Sequence, residues 1–139
     1  MLKLLIVDGQ GGGVGRMLTE AVCQSGLPVA ITAVGTNTVA TSAMLRAGAR
    51  QGATGENAVR VCAARADVIM GPVGIVIADA LLGEITPAMA QAVGQSRAKK
   101  LLLPINHCDN FIVGVENLNL SHLISAAVEA LRGLTACAE

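Results

Sequence analysis

Apolar residues run almost unbroken from Leu2 to Val7, with Lys3 the one polar position, and the run ends in Asp8-Gly9-Gln10-Gly11-Gly12-Gly13-Val14-Gly15. So continuous a run predicts an interior parallel strand covered on both faces, because a half-exposed strand would alternate. Beyond the glycines, Leu18, Ala21 and Val22 recur at helical spacing, and Gly26 followed by Pro28 stops a helix of about Val14 to Ser25. Val29 to Val34 predicts a second strand, and Val39, Ala43, Met44 and Ala47 the apolar stripe of a helix that Gly48 ends. Ala49 to Ala53 is only weakly apolar and reads as a short edge strand.

The second half repeats the alternation. Thr54 is a candidate cap for a helix over Glu56 to Ala64, and Asp67 to Met70 reads as the next strand, running into a second glycine loop, Gly71-Pro72-Val73-Gly74. Ile75 to Leu82 fits a buried helix or another strand, since so short an apolar run has no decisive period. Thr86-Pro87 has the form of an N-cap followed by a first-turn proline, with Met89, Ala90 and Val93 forming the stripe of a helix ending near Ser96. Leu101 to Ile105 predicts a strand, and Phe111 to Val115 a sixth, paired with it as a hairpin. Leu120, Leu123, Ile124, Ala127 and Leu131 share one face of a last helix, from about Ser121 to Gly133.

Strands alternating with helices predict an α/β fold: a Rossmann-like three-layer α/β/α sandwich around a mostly parallel sheet of five or six strands, in the order 3-2-1-4-5. One such domain accounts for residues 1–139. In that order the first and fourth strands are neighbours, so both glycine loops fall on one crevice at the carboxyl edge of the sheet, where open α/β folds bind ligands.

The crevice gives the candidate site. Backbone N–H groups of Gly9, Gly11, Gly12, Gly13 and Gly15 open a helix and suit a phosphate, with Gly71, Pro72 and Gly74 on the facing wall and Thr36 and Asn37 toward a sugar or base. The spacing G-x-x-x-G-x-G over Gly9, Gly13 and Gly15 resembles the cofactor loop of short-chain dehydrogenases, but Val14 breaks G-x-G-x-x-G and Arg16 does not stand where a P-loop lysine would. A nucleotide such as NAD(P) is the cofactor class to which the loop points. The acid that accepts a ribose hydroxyl at the end of the second strand is absent, its place taken by Gly35-Thr36-Asn37, so nothing selects NAD. Asn37 or Thr36 serves equally well as a helix cap. Asp8 puts a carboxylate at the mouth, to be turned away, bonded to loop amides or paired with a cation. Asp79 and Glu84 read as polar groups on a solvated edge or facing the crevice.

Composition narrows the classes. Ten basic and ten acidic side chains cancel, no basic run is present and Phe111 is the only aromatic, so nucleic acid is not an expected partner. No apolar stretch is long enough to predict a membrane helix and no export signal opens the chain, so a cytoplasmic location without a membrane partner is expected. The absence of tyrosine removes the catalytic acid of short-chain dehydrogenase chemistry. Cys23, Cys62, Cys108 and Cys137 form no C-x-x-C pair, and His107-Cys108-Asp109 reads as a polar turn before a metal or nucleophile site, so no metal site is expected. A chain 53% hydrophobic with so little charge suggests apolar surface covered by further copies, a homo-oligomer.

Val7 to Gly15 (V-D-G-Q-G-G-G-V-G), Ala33 to Leu45, Gly52 to Ala58, Gly71 to Ala90 and Leu103 to Asn106 together resemble a family of uncharacterised bacterial proteins grouped as a domain of unknown function. The resemblance implies a compact bacterial cytosolic protein with a Rossmann-like start, and brings no activity or catalytic residue with it. The leading expectation is a domain that binds a nucleotide or other phosphorylated small molecule at the first glycine loop. The alternatives are a non-catalytic structural or regulatory subunit of a homo-oligomer, whose loops are only turns, and an enzyme using Cys108 or Asp8, with no catalytic residue assigned.

Overall fold

The computed structural model describes residues 1–105, 110–116 and 119–138. Its elements follow in the order β1 (Leu2–Asp8), α1 (Gly13–Ser25), β2 (Val29–Gly35), α2 (Thr38–Arg46), β3 (Gln51–Thr54), α3 (Glu56–Arg65) and β4 (Val68–Pro72). A 3₁₀ turn over Val73–Val76, α4 (Pro87–Gln95), β5 (Lys99–Leu103) and α5 (Leu120–Cys137) complete it. Among the described residues five strands form one all-parallel sheet in the order β3-β2-β1-β4-β5. This is the expected Rossmann-like α/β topology.

The central strand shows why an unbroken apolar run was needed. Leu4 and Ile6 enter one core with Leu18 and Val22 of α1, Met44 of α2 and Leu123, Ala127 and Leu131 of α5. Leu5 and Val7 point the other way, into a core with Val59 and Ala63 of α3 and Met89 and Val93 of α4. Successive strand side chains face opposite layers, so a polar residue within Leu4 to Val7 would be buried whichever way it pointed. Asn37 caps α2 and Thr86 caps α4, each side chain accepting the expected amide, and Gly26 takes the left-handed C-cap of α1.

Several local expectations are corrected. Gly71 and Pro72 belong to β4 rather than to a loop: they pair with Leu102 and Leu103, and a Cβ on Gly71 would collide with the Val7 carbonyl oxygen. Ile75 to Leu82 forms neither helix nor strand beyond the 3₁₀ turn, because Ile75, Ala80 and Leu81 bury themselves through a tight loop tied at its neck by Asp79 N–H donating to Ile85 C=O at 2.7 Å. Phe111 to Val115 is not a strand; Gly114 turns the chain, and Phe111 and Val113 stand 82% and 85% exposed. No strand among the described residues pairs with it, and an unpaired apolar run gains nothing from extension. Val39 is 61% exposed, the inward face of α2 being Ala40, Thr41, Ala43 and Met44. Gly55, not Thr54, is the N-cap of α3, and the Thr54 hydroxyl lies 2.7 Å from that of Thr41. Gly133 does not end α5, which continues to Cys137. His107, Cys108 and Asp109 lie outside the described residues.

Two glycines give opposite predictions. Gly71→Ala should lower Tm by several degrees, since forcing atoms into a filled strand contact costs about 1–3 kcal/mol. Gly133→Ala, exposed in mid-helix with open space around the new methyl group, should raise it by roughly 0.5–1 kcal/mol of stability. Thermal unfolding of the two variants beside the parent checks both signs.

Candidate functional site

At the carboxyl edge β1 ends in a buried carboxylate. Asp8 is 4% exposed, and its two oxygens accept the Gly9 amide at 2.8 Å and the Gly15 amide at 2.7 Å. Gly15 lies in the first turn of α1, so the chain's own carboxylate occupies part of the positive end of that helix. Burial pushes the Asp8 carboxyl above the ordinary aspartate range, Glu84 adds to the rise, and the amides of Gly15, Gly9 and Val14 pull the other way. Of the fates open to Asp8 in the sequence, bonding to the loop amides is the one observed.

The five loop glycines divide by reason. A Cβ on Gly9 would lie 2.7 Å from Thr36 Oγ1, one on Gly12 2.7 Å from Ala40 Cα, and one on Gly15 2.5 Å from Met44 Sδ and 2.9 Å from Asp8 Cβ. Packing alone excludes side chains at those three. Gly11 and Gly13 are different: both are exposed, neither has positive φ, and a Cβ on either meets nothing within 4 Å. Gly13 opens α1, so its N–H has no partner within the helix.

Thr36 and Asn37 meet Glu84, for which the sequence left a solvated edge and the crevice both open. Glu84 Oε1 accepts from the Thr36 hydroxyl at 2.6 Å, the Asn37 side-chain amide at 2.8 Å and the Gln10 backbone amide at 3.0 Å. The Asn37 amide also donates to Gln10 C=O at 2.9 Å, and Thr36 N–H to Asp8 C=O at 3.0 Å. The Thr36 hydroxyl foremost, with the Gln10 and Asn37 donors, holds the Glu84 carboxyl below the ordinary glutamate range against partial burial. Glu84 and the buried Leu81 converge on Gly9. Gly71, Pro72 and Gly74 are all buried, and the loop of Ile77 to Ile85 brings Leu81 and Glu84 beside the glycine loop. The signal for Glu84 was available: a lone acid between a buried apolar loop and the Thr86-Pro87 cap has to leave the core at the strand ends. Asp79 is exposed, and its backbone N–H closes the neck of the same loop on Ile85 C=O.

No group of three or more metal-ligating side chains converges among the described residues. A separate recess of about 410 Å³, lined in part by Lys3, Thr32, Arg50, Gln51 and Arg65, lies toward the amino ends of β1, β2 and β3, away from the glycine loop. No helix of the described residues is long and apolar enough to cross a membrane.

The family profile described as a domain of unknown function (DUF3842) matches residues 3–136. No curated protein matches the sequence. Among solved structures, the chain is similar to a variant of the imine reductase of Myxococcus stipitatus in complex with NAD+, at 26% identity and a TM-score of 0.36 over 52% of this chain and 23% of that one. The chain therefore spans about a quarter of that enzyme's length. It is also similar to a dodecameric FMN-dependent Ubix-like decarboxylase of Escherichia coli O157:H7, at 14% identity and a TM-score of 0.46 over 92% of this chain and 93% of that one.

The electrostatics predict an acid-sensitive contact. Because the folded Glu84 carboxyl titrates below its unfolded value, its contribution is complete above the ordinary glutamate range and is lost as pH falls through the lowered value. Urea denaturation from pH 7 to pH 3 should show Glu84→Gln less stable than the parent at neutral pH, with the gap closing in acid.

Proposed function

This chain belongs to the DUF3842 family, and we propose that it binds a nucleotide or another phosphorylated small molecule across the carboxyl edge of its sheet, with phosphate against the backbone at Gly11 to Gly13. The observation that carries this reading is the pair of glycines that packing does not require. Gly9, Gly12 and Gly15 are small because backbone and side chains crowd them; Gly11 and Gly13 face open space at the start of α1. Glycine there lets a ligand come within hydrogen-bonding distance of the amides, where the helix dipole favours an anion. Asp8 shapes the loop from below, and Thr36 and Asn37 stand beside it toward a sugar or base. The cytoplasm is the proposed location, and NAD(P) remains one member of the ligand class, with no acid on β2 to select it.

A thermal-shift panel of NAD(H), NADP(H), adenine and guanine nucleotides, flavin mononucleotide and sugar phosphates, with and without magnesium, tests the reading. A ligand at about 100 times its Kd adds about 2.7 kcal/mol of stability, a shift of several degrees for a domain of this size. The expected result is a shift that Gly13→Val abolishes while keeping the parent's fold, since the new side chain enters open space. A flat panel, or a shift untouched by Gly13→Val, counts against it.

A second reading rests on a different surface. Leu82, Phe111 and Val113 are large apolar side chains left in water, which favours a homo-oligomer that covers them. Light scattering should then give a mass above that of one 14.0 kDa chain, reduced by Phe111→Ser; a monomer removes this reading.

A further inference from the structure

Three donors from two separate loops converge on one oxygen atom: the Gln10 backbone N–H, the Thr36 hydroxyl and the Asn37 side-chain amide, at 3.0, 2.6 and 2.8 Å from Glu84 Oε1. Such a set is a receptor for an oxyanion, since each donor gains strength from a charged acceptor. Its present occupant comes from the chain itself. The strap that delivers Glu84 holds Asp79, Leu81 and Leu82 in the left-handed region at φ 66°, 55° and 56°, unfavourable for residues with a Cβ. Leu82, at 93% exposed, gains no burial in return. Gln10, on the receiving loop, is left-handed too, at φ 50°.

We infer that Gln10, Thr36 and Asn37 form a binding site for a phosphate-type oxyanion, and that Glu84 is its internal, displaceable competitor. An incoming oxyanion takes over the three donors, Glu84 swings to solvent with its charge, and the strap is free to leave its left-handed conformation. No bond is made or broken; one anion replaces another. The inference deepens the proposed function by giving that edge a second anchoring point for an anion, beside Gly11 to Gly13, and a closed state in which the chain holds its own carboxylate.

The sign of one mutational effect decides it. A residue that contacts ligand, or merely ties loops together, weakens binding when removed; a competitor strengthens it. Melting midpoints measured against inorganic phosphate, with chloride at matched ionic strength as the control, give an apparent Kd for each variant through linkage. Glu84→Ala should bind phosphate roughly tenfold or more tightly than the parent, the equivalent of about one charge-assisted hydrogen bond no longer contested. Adding Thr36→Val to Glu84→Ala should remove the gain. Glu84→Gln, whose amide oxygen still accepts but carries no charge, should fall between, and it keeps the test available if the alanine variant does not fold. Unchanged or weaker phosphate binding in a folded Glu84 variant overturns the inference, as does a gain that survives Thr36→Val. A flat nucleotide panel with a phosphate gain in Glu84→Ala removes only the nucleotide reading; a positive panel without that gain removes only the competitor.

Discussion

The buried carboxylate of Asp8 is the constraint on which the carboxyl edge depends. A charge 4% exposed at the end of the central strand has to be solvated by the protein, and the donors within reach are the amides of the segment that follows it. Wrapping that segment round the carboxylate brings Gly9 and Gly15 against it and sets the entry angle of α1. It also explains the crowding: Gly15 is pressed between Asp8 and Met44, and Gly12 against α2. Removing the carboxylate would leave two buried N–H groups unsatisfied, which costs more than the bonds themselves contribute.

From that knot the edge is built outward. Thr36 N–H reaches back to the Asp8 carbonyl, Asn37 caps α2 and also bonds to Gln10, and Glu84 closes over both from the far side of β1. Two carboxylates therefore face the same loop in different states. Asp8 is desolvated and titrates high, whereas Glu84 is well supplied with donors and titrates low. Two carboxylates of the chain itself tie the edge together, so an external anion would compete for the same donors, and the strap carrying Glu84 has three non-glycine residues at positive φ.

The sheet order and nearly every element were legible because each had its own local signal: the doubly apolar run of β1, the Thr86-Pro87 cap, the stripe on α5. The misreadings arose where tertiary contact overrules local pattern. Gly71-Pro72 looks like a turn, yet glycine serves there to bring β4 against the Val7 carbonyl. Ile75 to Leu82 and Phe111 to Val115 are apolar without a period, and whether such a run becomes helix, strand or loop depends on neighbours that the pattern does not name. The candidate site was half legible in its geometry. The glycine loop, Thr36 and Asn37 announce themselves by position, but Glu84 is about 75 residues from Gly9, and only the β1–β4 adjacency brings it over. The division of the glycines into crowded and uncrowded also needs the packing of α2, which spacing does not encode.

The edge around Gly11 to Gly13 is the proposed phosphate site. The most direct measurement is an amide NMR titration of the isotopically labelled protein with the nucleotides of the panel, which follows every backbone N–H at once. Gly11 and Gly13 should shift first and furthest, with Gln10 and Asn37 following as the strap responds. Resonances that stay still at the loop while those of Lys3, Arg50 and Arg65 move at the opposite edge, or that do not move at all, would contradict it.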